Sequence, residues 1–290
     1  MQLTGPLVTT AWLADHLGDN DLRIFDTTIT LKPNPDGFGY LPESGLTEWQ
    51  AAHIPAASFI DVMAELSDPD NAIPYMMPPA ETFAATMATK GIDDSSTVVL
   101  YNSGLPMWST RVWWMLRSIG FDKVAVLDGG WEKWNRENRP VDDVTPAHPP
   151  GVLGASPQPA MWADKEAMLA MIESGEPVGI NALSPQVYSG EVNTHGRPGH
   201  LPGTHNVFYN SLIDQDSGEF LPPDQLKPLL AASGALNADQ VIPYCGGGVS
   251  ATMVSLALEL CGQREIAVYD GSMSEWVRDE TLPLKLGAAP

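Results

Sequence analysis

Val241-Ile242-Pro243-Tyr244-Cys245-Gly246-Gly247-Gly248-Val249-Ser250-Ala251-Thr252 reads as a short apolar strand, a cysteine, three glycines and the start of a helix. An earlier stretch runs the same way. Val98-Val99-Leu100-Tyr101-Asn102-Ser103-Gly104-Leu105-Pro106-Met107-Trp108 passes from a like strand into a Gly/Pro loop. Aligning Tyr101 with Tyr244 sets Asn102 against Cys245, an amide against a thiol. Three more matches keep the order. His53-Ile54-Pro55-Ala56-Ala57 corresponds to His200-Leu201-Pro202-Gly203-Thr204. Val126-Leu127-Asp128-Gly129-Gly130 corresponds to Val268-Tyr269-Asp270-Gly271-Ser272, and Trp134 to Trp276. A period of about 145 residues is too long for a solenoid and fits a duplicated domain.

Each half alternates short apolar runs with helical stretches. In the first half the runs are Leu22–Phe25, Thr97–Tyr101 and Val124–Leu127, with helices over Thr110–Ile119 and Trp131–Arg136. In the second they are Val178–Ile180, Val241–Tyr244 and Ile266–Tyr269, with helices over Ala251–Leu260 and Ser274–Glu280. Continuous apolar runs between helices imply parallel strands buried on both faces. The expected fold is therefore α/β, a parallel sheet covered by helices on both faces, used twice. Asp142 to Pro159 is rich in Pro, Gly and Asp and reads as a linker, so the expected domains are 1–141 and 160–290.

Charge narrows the function. The 290 residues carry 15 Lys+Arg against 36 Asp+Glu, a net charge of −21 at pH 7. That balance argues against nucleic acid, which needs clustered cations, and against an anionic membrane surface. Two cysteines cannot build a disulfide framework, and the N-terminal stretch has no basic start or long apolar run. A reducing, cytoplasmic setting without a membrane span is the expectation. The histidines and cysteines show no ligand spacing, so neither a metal nor a cofactor is expected.

Chemistry concentrates at Cys245. In such folds sites lie beyond the carboxyl ends of the strands, where loops enter helix N-termini. Glycines let the chain curl so that several amides of Gly246, Gly247, Gly248, Val249, Ser250 and Ala251 point inward, and the helix start adds positive potential. Both favour a thiolate, and the same partial charges would hold a persulfide without any lysine or arginine. Ser250 could cap the helix or donate to the terminal sulfur. The plainer reading is a buried cysteine on a tight turn. Cys261, near the end of an apolar helix, reads as core, as do Trp113 and Trp114, while Trp108 reads as cleft lining.

On these segments, together with Leu7–Leu13 and Arg111–Leu116, the two halves resemble tandem rhodanese-like domains. The whole chain is similar to the thiosulfate/3-mercaptopyruvate sulfurtransferase family. The resemblance implies an inactive first domain (Asn102 in place of the cysteine), a catalytic second domain and a site in the cleft between them. Cys245 would take sulfane sulfur from a small donor and pass it to a thiol or cyanide, a thioredoxin-like dithiol among the acceptors, in a covalent two-step scheme.

Departures from the family pattern bear on the donor. Thiosulfate-type loops read Cys-Arg-Lys-Gly-Val-Thr and mercaptopyruvate-type loops Cys-Gly-Ser-Gly-Val-Thr. This loop, Cys-Gly-Gly-Gly-Val-Ser, lacks the cations, which favours 3-mercaptopyruvate and puts thiosulfate second. It also lacks the relay serine, since Gly247 stands there. The family's relay histidine would fall on His53, although His200 fills the same motif in the other half. The family's substrate arginine is missing where Leu183 and Val187 stand. Arg197 is the nearest remaining candidate for a bidentate carboxylate contact, against a surface ion pair. Arg111 is a second, against a structural salt bridge. Two other functions remain to be weighed. A Cys-loop phosphatase needs an arginine six positions after the cysteine, where Ala251 stands. A persulfide carrier for a protein partner would show little small-molecule turnover.

Overall fold

A computed structural model describes residues 3–35 and 37–290. Met1, Gln2 and Asp36 lie outside it, and with them the first two residues of the stretch read for a targeting signal. Among the described residues, no helix is long and apolar enough to cross a membrane.

The first half contributes β1 (Leu7–Val8), β2 (Leu22–Asp26), β3 (Ile29–Pro33), β4 (Tyr40–Ser44), β5 (Ala57–Phe59), β6 (Thr97–Tyr101) and β7 (Val124–Leu127). Five of these make a parallel sheet in the order β1-β7-β6-β2-β5, while β3 and β4 form an antiparallel hairpin. The second half contributes β8 (Trp162–Ala163), β9 (Val178–Asn181), β10 (His205–Asn206), β11 (Val241–Tyr244) and β12 (Val268–Tyr269). Here β10-β9-β11 pair in one sheet and β12 pairs with β8. A single parallel bridge, Val241 to Ile266, joins the two pieces, so the order repeats that of the first half. The sequence reading Ile266–Tyr269 thus keeps only Val268–Tyr269 as regular strand.

Alternation along β6 shows why both faces are covered. Val98 and Leu100 point into a large core with Trp113, Trp114 and Phe83, whereas Val99 and Tyr101 face a second core with Leu13 and Trp134. In the second half Ile242 and Tyr244 likewise face Met168, Met171 and Trp276. The large core continues across both halves, taking in Val254, Leu256 and Leu258. The chain is therefore an α/β protein of two tandem units of like topology that share one core.

Two helices sit at that junction. One spans Met107–Ser118 and starts three residues before Thr110, because Pro106 takes the position ahead of the first turn. The other spans Ala251–Leu260, as read from the sequence. Thr110 and Thr252, equivalent in the repeat, bond to each other through their hydroxyls at 2.8 Å. Arg117 pairs with Glu259, again equivalent positions. The two halves meet about a pseudo-twofold axis through these helices. The helix expected over Ser274–Glu280 runs instead over Ser272–Trp276, and the Trp276 indole N–H closes it on Pro283 O, as Trp134 does on Pro140 O.

Each half also ties the other down through an aspartate. Asp128 Oδ1 accepts from Phe220 N at 2.8 Å, and Asp270 Oδ2 accepts from Met77 N at 2.8 Å. Burial pushes the Asp128 carboxyl up to about 6. An acid raised in the folded state holds its proton more tightly there than in the unfolded chain, where it titrates at about 3.9. Its contribution therefore falls as pH rises from about 4 through about 6 and is fully lost at pH 7. Asp128→Asn, which keeps the acceptor for Phe220, should raise stability at pH 7 by ~2 kcal/mol and leave it nearly unchanged at pH 4. Urea unfolding at both pH values checks this, and an equal effect at both contradicts it.

Candidate active site

Cys245 follows β11 and is 2% exposed. Its loop is held from the adjacent turn. Ser272 Oγ accepts from Cys245 N at 3.0 Å and from Gly248 N at 3.1 Å, and donates to Tyr269 O at 2.7 Å. Met273 N donates to Cys245 O at 3.0 Å and Ser274 N to Gly246 O at 2.8 Å. Ser272 has φ +49, a strained value for a residue with a side chain, fixed here by these bonds. Gly248 has φ +72, and a Cβ there would meet Asp270 O at 2.6 Å. Only glycine fits. Among the described residues, the amides of Gly246, Gly247, Val249, Ser250 and Ala251 find no acceptor.

A buried cation supports the loop from behind. Arg111, fully buried, lies 2.6 Å from Asp270 Oδ1, a close ion pair off the linear hydrogen-bond direction. It donates to Gly248 O at 3.3 Å and Tyr75 O at 2.6 Å, and its guanidinium lies over the Trp162 ring at 4.9 Å. Arg111 thus joins the first half to the cysteine loop.

Cys245 opens into a cavity of about 760 Å³ with walls from both halves. The first half supplies Leu31, Phe38, Tyr40, Tyr75, Met107 and Trp108. The second supplies Leu183, Val187, His195, Phe208, Tyr209 and Val249, among others. Burial and the nearness of Tyr40 and Cys245 push the Tyr209 phenol up. Burial pushes His195 down to about 4, which leaves its imidazole neutral near pH 7. Among the described lining residues Arg278 is the one formal cation; it is exposed and donates to Ser274 O and Ala72 O. A second cavity of about 500 Å³, between Trp49, Glu65 and His148, holds no cysteine.

The residues singled out from the sequence separate into two sets. Trp108 and the loop residues Gly246, Gly247, Val249 and Ser250 line the cavity with Cys245. Ser250 precedes the helix with no side-chain cap bond, so the cap expected of it is absent. His53, Arg111 and Arg197 do not line the cavity. His53 is buried against Trp49 and bonded to Trp49 O and Val144 O. His200 stacks on Tyr188 in the same way. Each histidine bridges to a later strap, His53 to Asp142 and His200 to Lys285, which is a structural duty in both halves. Arg197 donates to Asp279 O at 2.7 Å and Leu282 O at 2.8 Å, so its fork holds the C-terminal segment. Cys261 is partly buried, with Sγ 3.9 Å from Pro223 O. Trp113 and Trp114 are buried in the shared core.

Ser272, Asp270, Tyr75, His195 and Tyr209 went unread in the sequence. The repeat carried a signal for Ser272, because it stands where the first half has Gly130. Tyr75 comes from an irregular segment and Tyr209 opens a short 3-10 helix, and neither gave one.

The corresponding loop in the first half is closed by its own side chains. Asn102 Nδ2 donates to Ser103 O and Leu105 O, and its Oδ1 accepts from Ser109 at 2.5 Å. Glu132 Oε1 accepts from Gly104 N at 2.8 Å and from Ser103 Oγ at 2.6 Å. One amide of that loop, Gly104 N, thus already faces a carboxylate, and Ser103 N donates to Thr28 Oγ1 at 2.9 Å.

Comparison with known proteins places this geometry. The Rhodanese-like domain family matches residues 9–137 and 164–279. The chain is 31% identical over 278 residues to a 3-mercaptopyruvate sulfurtransferase of Escherichia coli (strain K12), covering 94% of this chain and 95% of that one. It is 30% identical over 284 residues to a thiosulfate sulfurtransferase of Rattus norvegicus, covering 94% and 92%. The crystal structure of SseA from Escherichia coli, described with the rhodanese fold and the mechanism of 3-mercaptopyruvate sulfotransferases, superposes with a TM-score of 0.82. Identity there is 30%, over 93% of this chain and 99% of that one.

Removing one partner of the Arg111–Asp270 pair leaves the other charge buried alone. Arg111→Met should cost about 3–5 kcal/mol in chemical denaturation, and adding Asp270→Asn should recover much of it. A cost below about 1 kcal/mol for the single change would contradict the buried pairing.

Proposed function

The chain belongs to the rhodanese family and is a sulfurtransferase of the 3-mercaptopyruvate/thiosulfate type, and from that premise we propose that it moves sulfane sulfur through a persulfide on Cys245. The observation that carries this reading is the set of unbonded loop amides around a strand-end cysteine at the wall of the interdomain cavity. Those dipoles favour the thiolate before transfer and the Cys–S–S⁻ anion after it.

The favoured donor is 3-mercaptopyruvate. The Cys245 thiolate attacks the donor sulfur, the C–S bond breaks, and its electron pair leaves on carbon as the enolate of pyruvate. The proton of the donor thiol ends on that carbon, giving pyruvate and the persulfide anion. In the second step cyanide or a thiol attacks the outer sulfur, the S–S bond breaks, and the thiolate returns. The lining supports a monoanionic donor over the dianion thiosulfate, because the loop offers no lysine or arginine and the chain carries a net charge of −21. The first domain, read as 1–141, would be inactive, since Asn102 holds the cysteine position and bonds back onto its own loop. The linker 142–159 and catalytic domain 160–290 complete that division.

One observation favours a second reading, a persulfide carrier for a protein partner: Leu183 and Val187, apolar side chains, line the cavity where the family places its substrate arginine. Steady-state assays with each donor, using cyanide or a dithiol as acceptor, separate the two. The proposal expects a higher kcat/KM for mercaptopyruvate than for thiosulfate, loss of all transfer in Cys245→Ser and retention in Cys261→Ser. Equal or better use of thiosulfate would overturn the donor assignment. Turnover of neither donor, with Cys245 still loaded by a protein persulfide, would favour the carrier.

A further inference from the structure

The cavity presents one ring nitrogen without a partner beside the nucleophile. His195 Nδ1 bonds Thr194 Oγ1 at 2.8 Å, and its backbone N–H donates to Asn193 Oδ1 at 3.2 Å. Its Nε2 has no hydrogen-bond partner among the described residues. That nitrogen stands 2.7 Å from where a Cβ on Gly246 would be. The imidazole therefore fills the side-chain space of the residue that follows Cys245, the position where thiosulfate-type loops carry an arginine. Gly246 admits it; any side chain there would displace it.

We propose that His195 determines donor specificity by donating a hydrogen bond from Nε2–H to the carboxylate of a 2-oxo acid thiol whose sulfur lies against Cys245. The inference rests on the mercaptopyruvate reading above. A hydroxyl proton from Thr194 to Nδ1 leaves the ring's single proton on Nε2, aimed into the cavity. The carboxylate of such a donor is three bonds from its sulfur, so a group beside Gly246 is within its reach. The cation among the described lining residues, Arg278, is exposed, and its guanidinium already donates to Ala72 O at 2.8 Å and Ser274 O at 3.1 Å. Arg197 and Arg111, which could have served, are bonded to carbonyls and to Asp270. The N–H beside Gly246 meets a carboxylate three bonds from the sulfur, a group that thiosulfate lacks.

The test compares wild type, His195→Phe, His195→Gln and Arg278→Met. His195→Phe keeps a ring over Gly246 without the N–H, and His195→Gln restores a donor. With mercaptopyruvate, His195→Phe should raise KM by about 10- to 100-fold, the loss expected of one hydrogen bond to a charged group, with a smaller change in kcat. His195→Gln should recover most of that loss, and Arg278→Met should raise KM less than His195→Phe does. Persulfide formation from inorganic polysulfide, which has no carboxylate, should fall far less in His195→Phe than transfer from mercaptopyruvate. Equal losses with both sulfur sources would mark a structural role and overturn the inference. So would an unchanged KM in His195→Phe, or a larger loss in Arg278→Met. A wild type that turns over no mercaptopyruvate removes the donor reading and this inference together. An active wild type with an unaffected His195→Phe removes only the inference.

Discussion

One hydroxyl sets the shape of the site. Ser272 Oγ takes the amides of Cys245 and Gly248, the two ends of the glycine loop, and passes its own proton to Tyr269 O. With both ends pinned, the amides between and after them stay unbonded and the cysteine sits still against the cavity. The cost is a side chain at φ +49, where the first half has Gly130 at φ +54. Strain of this kind persists only where the surroundings over-determine it. Here they do. Asp270 and Arg111 brace the turn from behind, and Arg111 carries that brace across to Tyr75 in the other half.

The duplication explains both the strength of the frame and the asymmetry of the site. Thr110 with Thr252, Arg117 with Glu259, and the aspartates 128 and 270 with opposing backbone amides are twin contacts about one axis. Against that symmetry the two loops have diverged. In the first, Asn102 bonds back onto its own loop and the exposed Glu132 takes the Gly104 amide, whereas the second faces a cavity. A chain with a net charge of −21 can hold an anion at such a loop because amide dipoles act at close range, where the diffuse field of surface carboxylates is screened.

The repeat made most of the fold legible. The strands Thr97–Tyr101, Val124–Leu127 and Val241–Tyr244 and the helix Ala251–Leu260 have the bounds read from their apolar runs and glycine stops. Edges set by tertiary contacts were less legible, as at Ser272–Trp276, where a helix starts inside a turn held by Ser272. The shape of the loop after Cys245 was readable because local chain geometry builds it. Arg197 and His53 lie away from the cavity, a placement that the sequence does not carry. Arg197 bonds the carbonyls of Asp279 and Leu282 and His53 those of Trp49 and Val144, and the distant partners among these are ones that side-chain spacing cannot reveal. His195 stands two residues from Arg197, but only the packed loop shows that it covers Gly246.

The proposed transfer requires that Cys245 itself carry the sulfur. Its most direct measurement is the mass of the peptide containing Cys245 after the protein is mixed with mercaptopyruvate in the absence of an acceptor. A persulfide on Cys245 gives a gain of one sulfur atom on that peptide, none on the peptide containing Cys261, and loss of the gain when cyanide is added. A sulfur found elsewhere in the chain, or a Cys245 peptide unchanged while pyruvate is formed, would contradict it.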